Sequence, residues 1–114
     1  MVAQHILDQL LTFRSERDWE KFHTPKNLSA ALTVEAAELL ECFQWAKDEE
    51  LPALVARERT AIEDEIADVV ILLSYLCHDL KLDLDAAVES KLEKNRQKYP
   101  MQLSRGNATK YDRL

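Results

Sequence analysis

Residues 61–80 read AIEDEIADVVILLSYLCHDL, and the centre of this run, Ile66 to Leu73, is apolar on every side of a helix. Such a helix needs cover all round. Two or three partner helices in a chain of 114 residues cannot easily surround it, so its far side is expected to meet another subunit. The run closes a long helical region that starts at Pro52, reaches Leu80 and can break near Arg57.

Two carboxylates lie inside this apolar stretch. Glu65 and Asp68 are three residues apart, so both point in one direction, on the face that carries Ala61, Ile62, Val69, Leu72 and Leu76. A second pair, Glu35 and Glu38, shares its side with Leu28, Ala31, Leu32, Leu39 and Cys42. Either pair alone would read as solvated surface, because charge is usually outside. Two pairs on apolar faces of neighbouring helices read differently: unless cations or donors compensate, burial raises a carboxylate's pKa by several units. Lys47 and the Arg57/Arg59 cluster are the nearest bases, and fifteen Lys and Arg face twenty-one Asp and Glu overall. A bound metal is the simplest neutraliser, and four oxygen ligands suit Mg²⁺ or Mn²⁺ better than zinc or copper. Glu63, Asp64 and the run Asp48 to Glu50 lie off those faces and read as solvated charge.

Outward from this centre the chain is all-α, with four helical segments in a bundle-like subunit. The first is expected from Val2 to Phe22, with Ile6, Leu7, Leu10, Leu11 and Phe13 as its apolar stripe and Arg14, Glu16, Arg17 and Asp18 on its wet side. Thr24-Pro25-Lys26-Asn27 supplies a capping hydroxyl and a proline at a first helical position, opening a second helix to about Ala46. Asp83 caps the fourth, Asp85 favours its dipole, and Tyr99-Pro100 closes it. Residues 101–114 are expected to form a mobile polar tail on a single domain spanning 1–114. One Gly and three Pro leave little turn chemistry for a sheet.

The formal charge of −6 argues against binding a nucleic-acid polymer, though not against one nucleotide held through metal. The amino terminus is amphipathic and no apolar run approaches ~20 residues, so neither a leader nor a membrane span is expected and the chain reads as cytoplasmic. Cys42 and Cys77 lie in apolar helical surroundings and read as reduced core thiols.

These residues resemble the MazG-like, all-α nucleoside triphosphate pyrophosphohydrolases, whose mark is ExxE followed some tens of residues later by ExxD; here those are Glu35-Ala-Ala-Glu38 and Glu65-Ile-Ala-Asp68. The likeness extends through Glu16-Arg17-Asp18-Trp19, Phe22-His23, Pro25-Lys26-Asn27-Leu28, Phe43-Gln44-Trp45, and Ser90-Lys91 through Asn95-Arg96 to Tyr99-Pro100, and is nearest to the dCTP pyrophosphatase branch. The resemblance implies hydrolysis of a (deoxy)nucleoside triphosphate, dCTP or a modified dCTP first, to the monophosphate and pyrophosphate. It implies a homo-oligomer, either a dimer or a dimer of dimers. By the same analogy Glu35, Glu38, Glu65 and Asp68 bind Mg²⁺, and Glu38 is the carboxylate favoured to polarise the attacking water.

Lys91, Asn95, Arg96 and Tyr99 then form an edge for the outer phosphates, or else a solvated basic helix end. Trp19 and Trp45 would stack on the base, unless they are core, and His23 would touch sugar or base, unless it is a surface imidazole. Arg105 and Lys110 could close over phosphates. The chain departs from mammalian enzymes of the branch at Leu10 and Leu72, where those place a histidine and a tyrosine. Within the superfamily a phosphoribosyl-ATP pyrophosphatase or a dimeric dUTPase is the near alternative. A non-catalytic helical oligomerisation module is the alternative of another class. A di-iron bundle is disfavoured, since that scheme wants Glu-x-x-His on two helices and the chain has the spacing once, at Glu20-Lys21-Phe22-His23.

Overall fold

The computed structural model describes residues 1–113, and all the regular structure among them is helical. It comprises two compact units, one from Val2 to Lys81 and one of Leu82 and the residues after it together with Met1.

In the first unit α1 spans Gln4–Glu16. It stops short of the expected Phe22 because Asp18 takes a left-handed φ of 52°, which no α-helix tolerates, and the chain resumes as a 3₁₀ turn at Glu20–Phe22. Helix α2, Pro25–Glu41, begins as the sequence indicates: Thr24 Oγ1 accepts the Asn27 backbone N–H at 3.1 Å, with proline at the first position. Asn27 Nδ2 also donates to the Phe22 carbonyl at 2.9 Å, tying the turn to the helix. The helix ends at Glu41, before the expected Ala46, and turns follow it. The long third region is broken where the sequence allowed, into α3, Leu51–Arg57, and α4, Arg59–Asp79.

Helix α4 is the centre of this unit, with α2 packed along it and α1 and α3 against it. Leu28, Ile62 and Tyr75 form the buried apolar core. Within one chain the cover is incomplete. Ile66 remains 47 % exposed, and Val34 and Leu40 of α2 are more exposed still. The all-round burial read for Ile66 to Leu73 is thus not supplied by this chain.

In the second unit α5, Leu84–Lys98, is capped by Asp83, whose Oδ1 accepts the Ala86 N–H at 3.1 Å, and it ends ahead of Pro100. A single turn of helix, α6 (Met101–Ser104), and a 3₁₀ turn at Tyr111–Arg113 follow. No helix of the described residues is long and apolar enough to cross a membrane.

Candidate active site

The packing of α2 on α4 brings the two acidic pairs together. One carboxylate oxygen from each of Glu35, Glu38 and Glu65 lies within 4.8 Å of the others, all three half-buried. Asp68 stands outside that tight group and is exposed, yet its charge acts on both Glu35 and Glu65. Glu35 Oε2 and Glu65 Oε2 are sealed from solvent and have no hydrogen-bond partner in the protein. Buried acceptors are rarely left so.

The electrostatics follow. The Glu35 carboxyl is pushed up to about 7, chiefly by a side-chain hydrogen bond with Glu38, then by burial and the charges of Glu38, Asp68 and Glu65. Burial first, and the Glu38 charge next, raise Glu65. Carboxylates crowded without a cation hold protons instead of charge. The donor set suits a hard divalent ion: its oxygens converge, two have no other partner, and none is nitrogen or sulfur.

Beside the carboxylates lies a cavity of about 490 Å³. Glu35 and Asp68 supply its acidic side, and Ile6, Gln9, Leu10, Phe13, Trp19, His23, Ile71, Leu72 and Tyr75 the rest. An apolar, aromatic hollow with a few charged groups on one side is the usual form of a small-molecule site. Its aromatic wall is built in sequence. The Phe13 and Trp19 rings meet edge to face at 5.7 Å, Trp19 and His23 lie 6.3 Å apart, and His23 and Tyr75 lie 5.3 Å apart.

Behind that wall stands Arg14. The sequence placed it on the wet side of α1, but it is 5 % exposed. Its guanidinium donates to both oxygens of Asp79, each at 2.8 Å, and sits 4.7 Å from the Tyr75 ring centroid. Tyr75 in turn donates its hydroxyl to the Leu10 carbonyl at 2.7 Å. A partner 65 residues away makes Arg14 internal, and no local period announces that pairing. The hydrogen bond to Asp79 chiefly raises the Arg14 pKa, and the same bond holds Asp79 below the usual carboxylate range.

Among the residues singled out in the sequence, Trp19 and His23 reach the cavity together with Leu10 and Leu72. Trp45 does not. It is 86 % exposed in the turn after α2 and lines no part of this hollow. Lys91, Asn95, Arg96 and Tyr99 belong to the second unit. There Lys98 foremost, then burial and Lys94, lower the Lys91 pKa, while Arg96 donates to Glu93 at 3.1 Å. Tyr99 packs edge to face against Tyr111 at 6.1 Å. Phe13, Arg14, Tyr75 and Asp79 were not singled out for the site; the aromatic pair reads as stripe and core, and the ion pair shows only in three dimensions.

Three comparisons bear on these features. Residues 30–114 match the MazG-like family. The chain is 48 % identical over 104 residues to dCTP pyrophosphatase 1 of Bos taurus, and 45 % to that of Homo sapiens, in each case over 90 % of its own length. It spans 62 % and 61 % of those two relatives. A crystal structure of a pyrophosphatase from Archaeoglobus fulgidus superposes with a TM-score of 0.81 at 43 % identity, covering 88 % of this chain and 96 % of that one.

Proposed function

Because this chain belongs to the MazG-like family, we propose that it is a metal-dependent nucleoside triphosphate pyrophosphohydrolase acting on dCTP or a 5-modified dCTP. The observation that carries this is the adjacency of two chemistries: Glu35 and Asp68 line the same hollow as Phe13, Trp19, His23 and Tyr75. A planar base fits the aromatic side, and the triphosphate then runs toward the carboxylates. The names of the bovine and human relatives and of the archaeal neighbour support the same chemistry.

Glu35, Glu38, Glu65 and Asp68 would hold Mg²⁺, with Mn²⁺ an acceptable substitute. When bound, the metal neutralises the phosphate oxygens and the charge that develops on them during transfer. Without it, a triphosphate near −4 would meet four acidic groups. Trp19 stacks on the base, and such a contact is worth about 1–3 kcal/mol. The hollow excludes water from the base while leaving the phosphates near the acidic wall. Glu38 accepts a proton from the water that attacks phosphorus; the α–β phosphoanhydride bond breaks, and pyrophosphate leaves. By the sequence resemblance, Lys91, Asn95, Arg96 and Tyr99 bind the outer phosphates.

The working form is a homo-oligomer, a dimer or a dimer of dimers. The uncovered apolar residues of α2 and α4 support it, and a second copy is the simplest way to bring an exposed Trp45 to a base. The test is pyrophosphate release from a nucleotide panel. Cytosine nucleotides should be cleaved with Mg²⁺ and spared with EDTA, and Glu38→Gln should lower kcat at least a hundredfold with the fold intact. Turnover that persists in EDTA would sink the proposal.

A further inference from the structure

The Arg14–Asp79 pair, buried at Arg14 and open to solvent at Asp79, has more reach than an ion pair alone needs. Besides its two bonds to Asp79, Arg14 Nη1 lies 3.5 Å from His23 Nδ1. A guanidinium has donors and no acceptor, so the nitrogen it faces must present a lone pair. In a neutral imidazole the proton is then on Nε2. That nitrogen has no hydrogen-bond partner among the described residues, and it is not one of the solvent-sealed atoms lacking a partner. It therefore keeps access on the ring edge away from Arg14, and the cavity is what His23 lines.

We propose that Arg14 and Asp79 are positioning residues of the nucleotide pocket, fixing His23 as the neutral tautomer protonated on Nε2. The pocket then offers the base a fixed donor instead of an acceptor. This rests on the nucleotide reading given above and deepens it. The fitting ligand is a base whose edge presents an acceptor, as cytosine does at O2 and N3. A base edge presenting N–H at that point would find donor against donor. A site built around one hydrogen bond rejects the mismatched partner because a buried polar group is left unpaired.

The surrounding charges agree. Burial and Arg14 lower the His23 pKa, against the opposing pull of Asp79 and Glu20. Asp79 faces His78 as well as Arg14 and His23, and Arg14 faces Glu20 at 4.0 Å and Tyr75. Asp79 accepts from two of the guanidinium's five N–H groups, one on each terminal nitrogen, and this bidentate grip fixes the Arg14 plane. Arg14 acts through His23 and touches no substrate.

Nitrogen-15 spectra of the histidine side chains test this directly, with His23 assigned by its loss in His23→Gln. Wild type should show His23 protonated at Nε2 only and titrating below the ordinary histidine range. In Arg14→Gln the tautomers should mix and the titration move up, and KM for the nucleotide should rise about tenfold with kcat within twofold. Arg14→Lys should recover part of the KM. If loss of the charge disturbs folding, Asp79→Asn, which keeps the guanidinium but gives up the bidentate grip on it, should mix the tautomers in the same sense. A wild-type His23 protonated at Nδ1, or an unchanged tautomer and titration in Arg14→Gln, would overturn the proposal. The spectra need no turnover, so a chain inactive on every nucleotide would refute the function while the tautomer still decides the pair.

Discussion

At the scale of single residues, Arg14 shows best why a site is only partly legible. Its position three residues after Leu11 and one after Phe13 fits a solvated edge of α1, and only the docking of α4 turns it inward against Asp79. Asp79 is open to solvent and keeps its hydration when its partner goes, so Arg14→Met, which loses two charge-assisted hydrogen bonds, should cost about 1.5–3 kcal/mol in urea unfolding, and adding Asp79→Leu should add little to that. The acid limb should change too. Asp79 has a folded pKa below its unfolded value, so its contribution is present above about pH 4 and lost as pH falls through the folded value. The double variant should lose that part of the acid sensitivity.

The carboxylates behave in the opposite sense. They were legible because four acidic residues at apolar positions violate the ordinary partition of charge, and the structure collects three of them within a few ångströms. Glu35 has a folded pKa of about 7 against 4.5, so its contribution to stability is complete below the lower value and lost as pH rises through the upper. In EDTA, wild type minus Glu35→Gln should therefore lose stability between about pH 5 and 7.5. Added Mg²⁺ should raise Tm more at pH 8 than at pH 5, because protons compete for the same oxygens. A Mg²⁺ shift independent of pH would contradict the assignment.

At the scale of elements, helix starts were readable, as were the ends of α4 and α5, whereas the ends of α1 and α2 were not. Thr24-Pro25 and Asp83 act through their own side chains and ring, so the sequence states them outright. The end of α1 depends instead on Asp18 at φ 52°, a backbone choice that an ordinary polar residue conceals. A second left-handed residue, Lys81 at φ 55°, lies just beyond the Leu80 cap of α4. A left-handed non-glycine residue is strained by roughly 1 kcal/mol, so Lys81→Gly should stabilise by up to about that much in thermal unfolding. Unchanged or lowered stability would mean that the Lys81 side chain contributes more than its backbone costs.

For the whole molecule, the decisive fact is how little one chain buries. Leu28, Ile62 and Tyr75 are its only buried apolar residues among those described, while Val34, Leu40 and Ile66 stay largely open on the helices that carry the site. Oligomerisation is expected from the same feature, an apolar helix too large for the chain to wrap, and partner and number are properties of a surface and not of a period. Ile66→Lys should shift the mass in light scattering to that of a smaller assembly. A wild-type monomer at micromolar concentration would refute the oligomer.

The most direct measurement is pyrophosphate release from each canonical and 5-modified (deoxy)nucleoside triphosphate by wild type and by Glu35→Gln, with Mg²⁺ and with EDTA. Metal-dependent release concentrated on cytosine nucleotides, lost in Glu35→Gln while the fold persists, is the expected result. Release from no nucleotide in any metal would contradict it and leave the carboxylates as a structural feature of a helical assembly.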